Sequence, residues 1–488
     1  MSGSWTDPLK KPASRALAAP AIGVGTFLVY LTTLAPTVAT NDAGRFQVAA
    51  PILGTGHPTG YPTFIVLGKL FTYLPVGDIA YRMNLMAAVF GALAVALFFL
   101  VAREIGGRTL PSSGCALLFA FSATFWSQAT LAEVYTMHAT FVLGVTYLLL
   151  RWRAGSSAAL LGAALLYGVS LGNNAGMVLL APAFAVLLLA GRWRKLTAGL
   201  VGLATLEALL GLSIYAYIPL RGFVGAWHNY GDPVHDWADV WALVSGARFQ
   251  GLMGGSPAEL LNGTGRFLAG LMTQIASPVG YALGLILLAG GFFGARALYF
   301  RDRMVGVALG LSLAITLLYA VSYRIDDIAV YYIPVYLFLG LFFAVGVSHI
   351  LERRSETALT GAFAALPLCL AVLALAFNHA AVDRSDYYAE RQRSEAIMAR
   401  LPERAVLYGK LPIVPLTYVK EVEGTREDVT LRWMDGGTQG RHMASDVSSG
   451  RPVYVIPDPR YNHIYLGEAI EPYARPVGES GLIRLEPR

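Results

Sequence analysis

The chain has few charged residues and almost no cysteine. Only 14% of its 488 residues are Asp, Glu, Lys or Arg, whereas 55% are hydrophobic, and the mean hydropathy is +0.54. This composition excludes an ordinary soluble globular protein and indicates a membrane protein. The two cysteines, Cys115 and Cys369, both lie in apolar stretches. We therefore expect two buried thiols, and neither a disulfide framework nor a metal site.

Several common motifs are also missing. The sequence contains no internal repeat, P-loop, zinc-ligand spacing or glycine-rich dinucleotide loop after a strand, so no nucleotide cofactor is predicted. The formal net charge is +6, but Lys and Arg occur in twos and threes at the ends of apolar runs rather than along one face. That distribution is typical of membrane topology and does not predict a nucleic-acid partner.

Long apolar runs predict a polytopic α-helical membrane protein. A bilayer core roughly 30 Å thick requires about 20 helical residues, and this criterion predicts about eleven transmembrane helices. The basic clusters fall on alternate connections, which predicts a cytoplasmic N-terminus and an integral protein of the cytoplasmic (inner) membrane. The predicted spans begin near Leu17, Asn84, Ser113, Leu131, Ala158, Ala175, Leu196, Val279, Met304, Ala329 and Ala358.

The hydropathy falls sharply after Phe377, and this divides the chain in two. Residues 1–380 form the predicted transmembrane domain, with outer loops at 36–80 and 221–265. The first loop contains an apolar stretch typical of a helix lying at the membrane surface. Residues 381–488 contain three short apolar runs separated by candidate helices, which predicts a small soluble α/β domain. An odd number of spans places that domain outside the cytoplasm.

Most polar residues near the predicted spans lie on the non-cytoplasmic side. Ionisable groups near the apolar phase cost several kcal/mol unless paired or hydrated, so each is a candidate for function. Asp42 follows the first span directly; it is either a turn residue, since Asn41-Asp42-Ala43-Gly44 favours a turn, or a functional carboxylate. The candidate ligands of a sugar or an acceptor are His57, Tyr61, Glu133, Tyr135, Asn173, Asn174, Asp232 and Asp326.

Each of these candidates also has a structural explanation. Glu133 opens a helix, where the helix dipole alone favours an acidic residue. Asn173 and Asn174 can cap helices, and Arg324 can pair with Asp326 and its neighbour Asp327. Arg221, Arg45 and Arg324 are the candidate phosphate ligands, because a guanidinium offers two donors to one phosphate.

Seven motifs are spread over most of the chain. They are Asn41-Asp42-Ala43-Gly44, His57-Pro58-Thr59-Gly60-Tyr61-Pro62, Ala132-Glu133-Val134-Tyr135, Ser170-Leu171-Gly172-Asn173, Tyr217-Ile218-Pro219-Leu220-Arg221, Asn229-Tyr230-Gly231-Asp232-Pro233, and Tyr418-Val419-Lys420-Glu421-Val422-Glu423-Gly424 followed by Asp428-Val429. Together, and in this order, they resemble the membrane-protein family typified by transmembrane protein 260.

That family is similar to the GT-C superfamily, whose members use a lipid-phosphate sugar and invert the anomeric carbon. Its best-understood branch transfers mannose to Ser or Thr of folded extracellular domains. The resemblance implies that Asp42 is the general base and that Tyr61, Glu133 and Arg221 line the donor or acceptor site. Where an acidic residue is expected three positions after the aspartate, this chain has Arg45. A two-carboxylate metal site is therefore not indicated there, although the sequence leaves a divalent metal open.

We therefore predict an inverting glycosyltransferase that moves a sugar, mannose by the resemblance, from a polyprenyl-phosphate donor to an extracytoplasmic protein or glycan acceptor. By the resemblance the acceptor is Ser or Thr of a protein. Displacing a polyprenyl phosphate requires a base for the attacking hydroxyl and cations for the departing phosphate. The sequence leaves three alternatives: a transporter or flippase of lipid-linked glycans, a ligase or polymerase of the same fold, and a non-catalytic scaffold. A transporter is expected to show inverted repeats and polar residues at the membrane midplane.

Overall fold

A computed structural model describes most of the chain. The described residues are 14–190, 192–228, 234–275, 280–353, 358–434, 439–457, 474–476 and 481–485.

The described residues between positions 14 and 382 are mostly helical. Short 3-10 segments at Ala175–Leu180, Ser213–Ala216 and Ile328–Tyr332 lead into longer helices. The α-helices are α1 (Ser14–Thr32), α2 (Asn41–Ile52), α3 (Pro62–Phe71), α4 (Ile79–Glu104), α5 (Thr109–Ala120), α6 (Ala123–Ala129), α7 (Tyr135–Arg153), α8 (Ser157–Leu171), α9 (Ala181–Leu189), α10 (Ala198–Leu212), α11 (Tyr217–Gly222), α12 (Trp237–Val244), α13 (Ala247–Gln250), α14 (Pro257–Met272), α15 (Gly280–Arg301), α16 (Arg303–Ser322), α17 (Ile333–Glu352) and α18 (Ala358–Val382).

The helices agree with an integral membrane protein. Within the described ranges, six helical stretches are long and apolar enough to cross a bilayer. Several of the other predicted spans correspond to shorter apolar helices, such as α5, so the number of eleven stays a prediction. The six stretches are Ile79–Glu104, Ala198–Gly222, Gly280–Arg301, Arg303–Ser322, Ile328–Glu352 and Thr360–Val382.

One prediction about the cysteines is wrong. Cys115 is buried as expected, but Cys369 is exposed on α18. A membrane helix has an apolar outer face as well as an apolar inner one, so hydropathy alone does not distinguish a residue packed in protein from one that faces lipid.

A buried polar network fixes the first outer loop against α4. The Gln47 side chain accepts from the Ala39 backbone N–H at 2.8 Å and donates to the Asn84 side chain at 2.8 Å. Asn84 in turn donates to the Ala35 carbonyl at 2.9 Å. Since buried polar groups need hydrogen-bond partners, these residues set the path of the loop that leads into α2.

The described residues of the C-terminal region form three α-helices and one mixed sheet. The helices are α19 (Ala389–Arg400), α20 (Ile413–Thr417) and α21 (Gln439–Ser448), and a π-helical turn at Tyr418–Val422 directly follows α20. The strands are β1 (Val406–Gly409), β2 (Thr430–Trp433), β3 (Val453–Val455), β4 (Ala474–Pro476) and β5 (Ile483–Leu485). Their order is β2-β1-β3-β5-β4; β1 is parallel to β2 and β3, and β5 is antiparallel to β3 and β4.

The sheet packs on the start of the membrane domain. Val38 and Val48 belong to the same buried apolar cluster as Leu407 and Leu416. The Tyr418 hydroxyl accepts from the Ala80 backbone N–H at 3.0 Å. The core of the C-terminal region is therefore continuous with the loop and helix that carry the first polar motif.

Candidate functional site

Asp42 lies in the first turn of α2. Asn41 adopts a left-handed φ of 55°, and the backbone then continues into the helix. All nine residues from 43 to 51 are buried. An acidic side chain in a first turn is stabilised by the helix dipole. The Asp42 side chain is nevertheless 39% exposed, so it remains open to an incoming molecule.

Two basic side chains flank this carboxylate. One Asp42 oxygen lies 3.7 Å from Nη1 of Arg45, and the other lies 3.5 Å from Nε2 of His57. Both neighbours are almost completely buried, with 7% of the Arg45 side chain and 9% of the His57 side chain exposed. The carboxylate is thus held between two fixed groups and still faces outward.

His57 is packed in an aromatic cluster. Its ring centroid lies 5.2 Å from that of Phe46 and 4.6 Å from that of Tyr61. Burial lowers the pKa of His57, Asp42 opposes this effect, and Arg45 adds to it. At neutral pH the imidazole is therefore neutral, which suits hydrogen bonding or orientation of Asp42 rather than neutralisation of a phosphate.

Two further carboxylates, Glu133 and Asp327, lie close enough to interact with the charge of Asp42, and we call the region that these three side chains share the hollow. Burial raises the pKa of half-buried Glu133 well above its ordinary value; Asp42 and Asp327 raise it further, and the Ala43 backbone N–H opposes them by donating to it. Asp327 is exposed to solvent, but the surrounding protein partly desolvates its carboxyl group. This desolvation raises the pKa of Asp327, and the negative charge of Asp42 raises it further. Glu133 consequently retains a proton to higher pH than an ordinary glutamate.

This raised pKa predicts how stability depends on pH. Between the unfolded and folded pKa values of Glu133 only the folded state binds the proton, so stability falls as pH rises through that range. Glutamine has nearly the same shape as glutamic acid but does not titrate, so Glu133→Gln lacks this pH-linked loss of stability. We therefore expect the melting temperature of the variant to exceed that of the wild type at neutral pH. The difference in melting temperature should vanish at about pH 4, close to the pKa of a glutamate in the unfolded chain. Thermal unfolding in detergent across that pH range measures this, with exposed Glu427→Gln as the control; parallel curves for wild type and Glu133→Gln contradict it.

A tyrosine cluster lies beside the carboxylates of the hollow. Tyr331 lies 5.8 Å from Tyr135, 5.4 Å from Tyr323 and 6.1 Å from Tyr319 between ring centroids. Tyr135 and Tyr331 also share a side-chain hydrogen bond. Half-buried tyrosines present a ring face and a hydroxyl together, a combination that suits a sugar ring. The sequence predicted Tyr135 but not the other three tyrosines. Aromatic residues with their spacing are common at the ends of membrane helices, so nothing in the sequence distinguishes them.

The two asparagines have mainly structural contacts. Asn173 is buried, and its amide donates to the Val134 carbonyl at 3.2 Å, directly beside Glu133. Asn174 caps the following 3-10 segment by accepting from the Gly176 N–H at 2.8 Å. The geometry therefore fits the capping alternative for Asn174 and a supporting position behind Glu133 for Asn173.

Arg221 lies at the opposite end of α2 from Asp42. Its Nε donates to the Leu53 carbonyl at 2.8 Å, and its Nη2 is 3.4 Å from the Ile52 carbonyl. The axial rise of a helix separates Asp42 from that end by roughly 15 Å. A guanidinium at this position anchors the C-terminus of α2 and is poorly placed for a phosphate leaving near Asp42.

The remaining candidates are Arg324, Asp326 and Asp232. Arg324 pairs with Glu259 at 2.8 Å rather than with Asp326 or Asp327, which corrects the predicted ion pair. The correct partner comes from a helix 65 residues away, so sequence proximity was misleading. Asp326 is exposed beside Asp327. Asp232 lies outside the described residues. Within those residues, no group of three His, Cys, Asp or Glu side chains is arranged to hold a metal ion.

Comparison with known proteins identifies relatives of the N-terminal part. Residues 42–197 match the family described as the protein O-mannosyl-transferase TMEM260 N-terminal domain. Protein O-mannosyl-transferase TMEM260 of Mus musculus is 32% identical over 207 residues, which are 40% of this chain and 29% of that protein. The Dictyostelium discoideum counterpart is 25% identical over 38% of this chain and 25% of its own length. The match thus spans under a third of either relative.

Solved structures extend the likeness to the whole fold. ArnT from Cupriavidus metallidurans, solved bound to undecaprenyl phosphate, has a TM-score of 0.60 at 15% identity over 97% of this chain and 98% of its own. The Archaeoglobus fulgidus oligosaccharyltransferase has a TM-score of 0.51 at 12% identity over 91% and 70%. The resemblance predicted from the motifs is confirmed: the chain is similar to the transmembrane protein 260 family over residues 42–197, on the fold of GT-C membrane glycosyltransferases.

Proposed function

We propose that this protein is an inverting glycosyltransferase that moves mannose from a polyprenyl-phosphate donor to a Ser or Thr hydroxyl of an extracytoplasmic protein. One observation carries the proposal. A solvent-open aspartate, Asp42, lies with Glu133, Asp327 and a tyrosine cluster in a hollow at one end of the helices. Asp42, Glu133 and Tyr135 lie in the segment similar to protein O-mannosyl-transferases, whereas Asp327 and the other three tyrosines lie outside it.

In the proposed reaction Asp42 accepts the proton of the acceptor hydroxyl as the hydroxyl oxygen attacks the anomeric carbon. The bond between that carbon and the phosphate oxygen breaks, and polyprenyl phosphate leaves with the bonding electrons. Attack from the face opposite the phosphate inverts the anomeric configuration. Glu133, which retains its proton, donates a hydrogen bond to a sugar hydroxyl, and the tyrosines hold the ring.

Cations near the hollow would stabilise the departing phosphate. Arg45 is the predicted phosphate ligand that lies against Asp42, and Arg324 is exposed three residues before Asp327. Arg45 lies on the side of the base, whereas the phosphate leaves from the opposite face of the anomeric carbon. We therefore assign the departing phosphate to Arg324 and the support of Asp42 to Arg45, because a developing charge is stabilised by preorganised donors. Arg221 is assigned to anchoring α2.

The Arg221 assignment gives a prediction. Lysine keeps the positive charge but has a single ammonium group in place of the guanidinium fork. Arg221→Lys therefore loses part of the hydrogen bonding to the two carbonyls at the end of α2. We expect a stability loss of about 1–3 kcal/mol with little change in donor KM. Thermal unfolding and steady-state kinetics measure both, with exposed Arg393→Lys as the control. An unchanged melting temperature with a large fall in kcat would instead support the phosphate role predicted from sequence.

The proposed orientation places the hollow and the C-terminal region outside the cytoplasm. In a variant lacking Cys115 and Cys369, Ser445→Cys on α21 should react with an impermeant thiol reagent in intact cells. Ser157→Cys, at the start of α8, should react only after lysis. The expectation rests on the alternation of the basic clusters. The reverse labelling pattern would overturn the orientation.

A transfer assay tests the function itself. Purified protein is incubated with radiolabelled polyprenyl-phosphate mannose and a folded acceptor domain rich in exposed Ser and Thr. We expect label in the protein, release of polyprenyl phosphate, and loss of label after mannosidase treatment. A flippase would move the donor between leaflets of a vesicle without labelling the acceptor, and a glycan ligase would label an added lipid-linked glycan instead. Either outcome contradicts the proposal.

A further inference from the structure

The C-terminal region contacts the helix that carries Asp42 and the segment just before α4. A Cβ atom added at Gly44 would lie 2.8 Å from Cγ1 of Val414, so α2 and α20 are in close contact. Arg391 on α19 pairs with Asp78 at 3.1 Å, just before α4, and with Glu423 at 2.8 Å. These contacts join distant parts of the chain around α2.

One contact from this sheet reaches the flank of the active carboxylate. The guanidinium carbon of Arg45 lies 4.8 Å from the ring centroid of Trp433, the last residue of β2. Arg45 is only 6% exposed, and its Nη1 lies 3.7 Å from Asp42. The arginine is therefore placed between an aromatic ring and a carboxylate that compete for it.

We propose that Trp433 is a positioning residue for the reaction, acting through Arg45 on Asp42. This inference rests on the proposed function. Trp433 attracts the guanidinium through a cation–π interaction and keeps it next to Asp42 at a distance longer than a close charge-assisted hydrogen bond. The Asp42 oxygens then remain available to the acceptor hydroxyl.

Removing the ring changes this balance. Without Trp433, the buried guanidinium loses an attraction that holds it at 3.7 Å from Asp42, and it can approach the carboxylate to form a short bidentate pair. Such a pair occupies the carboxylate lone pairs that must accept the acceptor's proton. The loss should therefore appear in kcat, since the donor sugar and lipid are bound by other groups.

The test compares variants of Trp433 in the full-length protein. Trp433→Leu should lower kcat about 10-fold with donor KM nearly unchanged, whereas Trp433→Phe keeps a ring face and should restore most of the activity. Leu431→Ala, on the same strand and packed in the same interface, is the matched control for general loosening. It should lower the melting temperature without this selective fall in kcat.

A double-mutant cycle shows whether the effect passes through Arg45. In an Arg45→Gln background, Trp433→Leu should cause no further fall in kcat, because the cation that the ring restrains is absent. Additive effects, or equal kinetics for wild type and Trp433→Leu, overturn the positioning role while leaving the proposed function intact. If wild-type protein transfers no mannose, the proposed function fails and this inference fails with it.

Discussion

Asp42→Asn should abolish transfer while leaving the fold intact. Asparagine has nearly the same shape, but its amide cannot accept the acceptor's proton at a useful rate. Loss of a general base costs about 10²–10⁴-fold in rate. We expect kcat to fall by that factor with little change in donor binding, measured by single-turnover transfer and by equilibrium binding of labelled donor.

The control for this prediction is Asp386→Asn. Asp386 is an exposed carboxylate between α18 and α19, so it matches the chemical change without lying in the hollow. Its variant should transfer at the wild-type rate. Near-normal turnover in purified Asp42→Asn would reduce Asp42 to a first-turn residue and move the search for the base to Asp327 or Glu133.

Gly44→Ala should have the second largest effect. A Cβ atom at this position would lie 2.1 Å from the Ala39 carbonyl oxygen and 2.8 Å from the Val414 side chain. The backbone carbonyl cannot rotate away, so α2 must move. Overpacking of this kind typically costs about 1–3 kcal/mol. A displacement of roughly 1 Å at a catalytic group can cost about 100-fold in rate.

Gly25→Ala provides the matched comparison. Gly25 is also helical, in α1, but an added Cβ atom would meet nothing within 4 Å. It should leave activity unchanged and stability equal or slightly higher, since alanine favours helix over glycine. Melting temperature and kcat are measured for both variants. Equal behaviour of the two would mean that α2 adjusts freely and that its close packing does not fix Asp42.

Some of the candidate residues meet for local reasons. Asp42 and His57 lie 15 residues apart, at the start of α2 and just after its end, and the structure brings them to 3.5 Å. Short loops leave little conformational freedom, so residues within them meet for local reasons. The same locality places Arg45 one helical turn after Asp42.

The long-range part of the site was harder to predict. Tyr331 and Trp433 reach the hollow through helix packing and sheet docking across hundreds of residues, and no local pattern encodes either contact. Arg221 illustrates a different difficulty. Its position after Pro219 resembles that of a headgroup ligand, yet its guanidinium binds the end of α2. An arginine near a membrane surface satisfies backbone carbonyls as readily as phosphates.

Hydropathy predicted the membrane class and the longest helices, but it treats each segment alone. The helix α5 is only 12 residues long because Gly106 and Gly107 precede it and Phe121 ends it, whereas the apolar run around it is longer. In the C-terminal region, β1, β2 and β3 coincide with the three apolar runs. The strands β4 and β5 were not predicted, because three-residue strands containing Arg475, Pro476 and Arg484 lack a strand-like apolar pattern.

The most direct test of the central claim is a structure of the protein with a non-reactive donor, a polyprenyl phosphonate carrying mannose. Our account predicts that the mannose ring lies in the hollow between Asp42, Glu133 and Tyr331. The face of its anomeric carbon opposite the phosphonate should point towards Asp42, with room for a hydroxyl between them. A sugar bound among the helices at the membrane midplane, away from Asp42, would contradict the account.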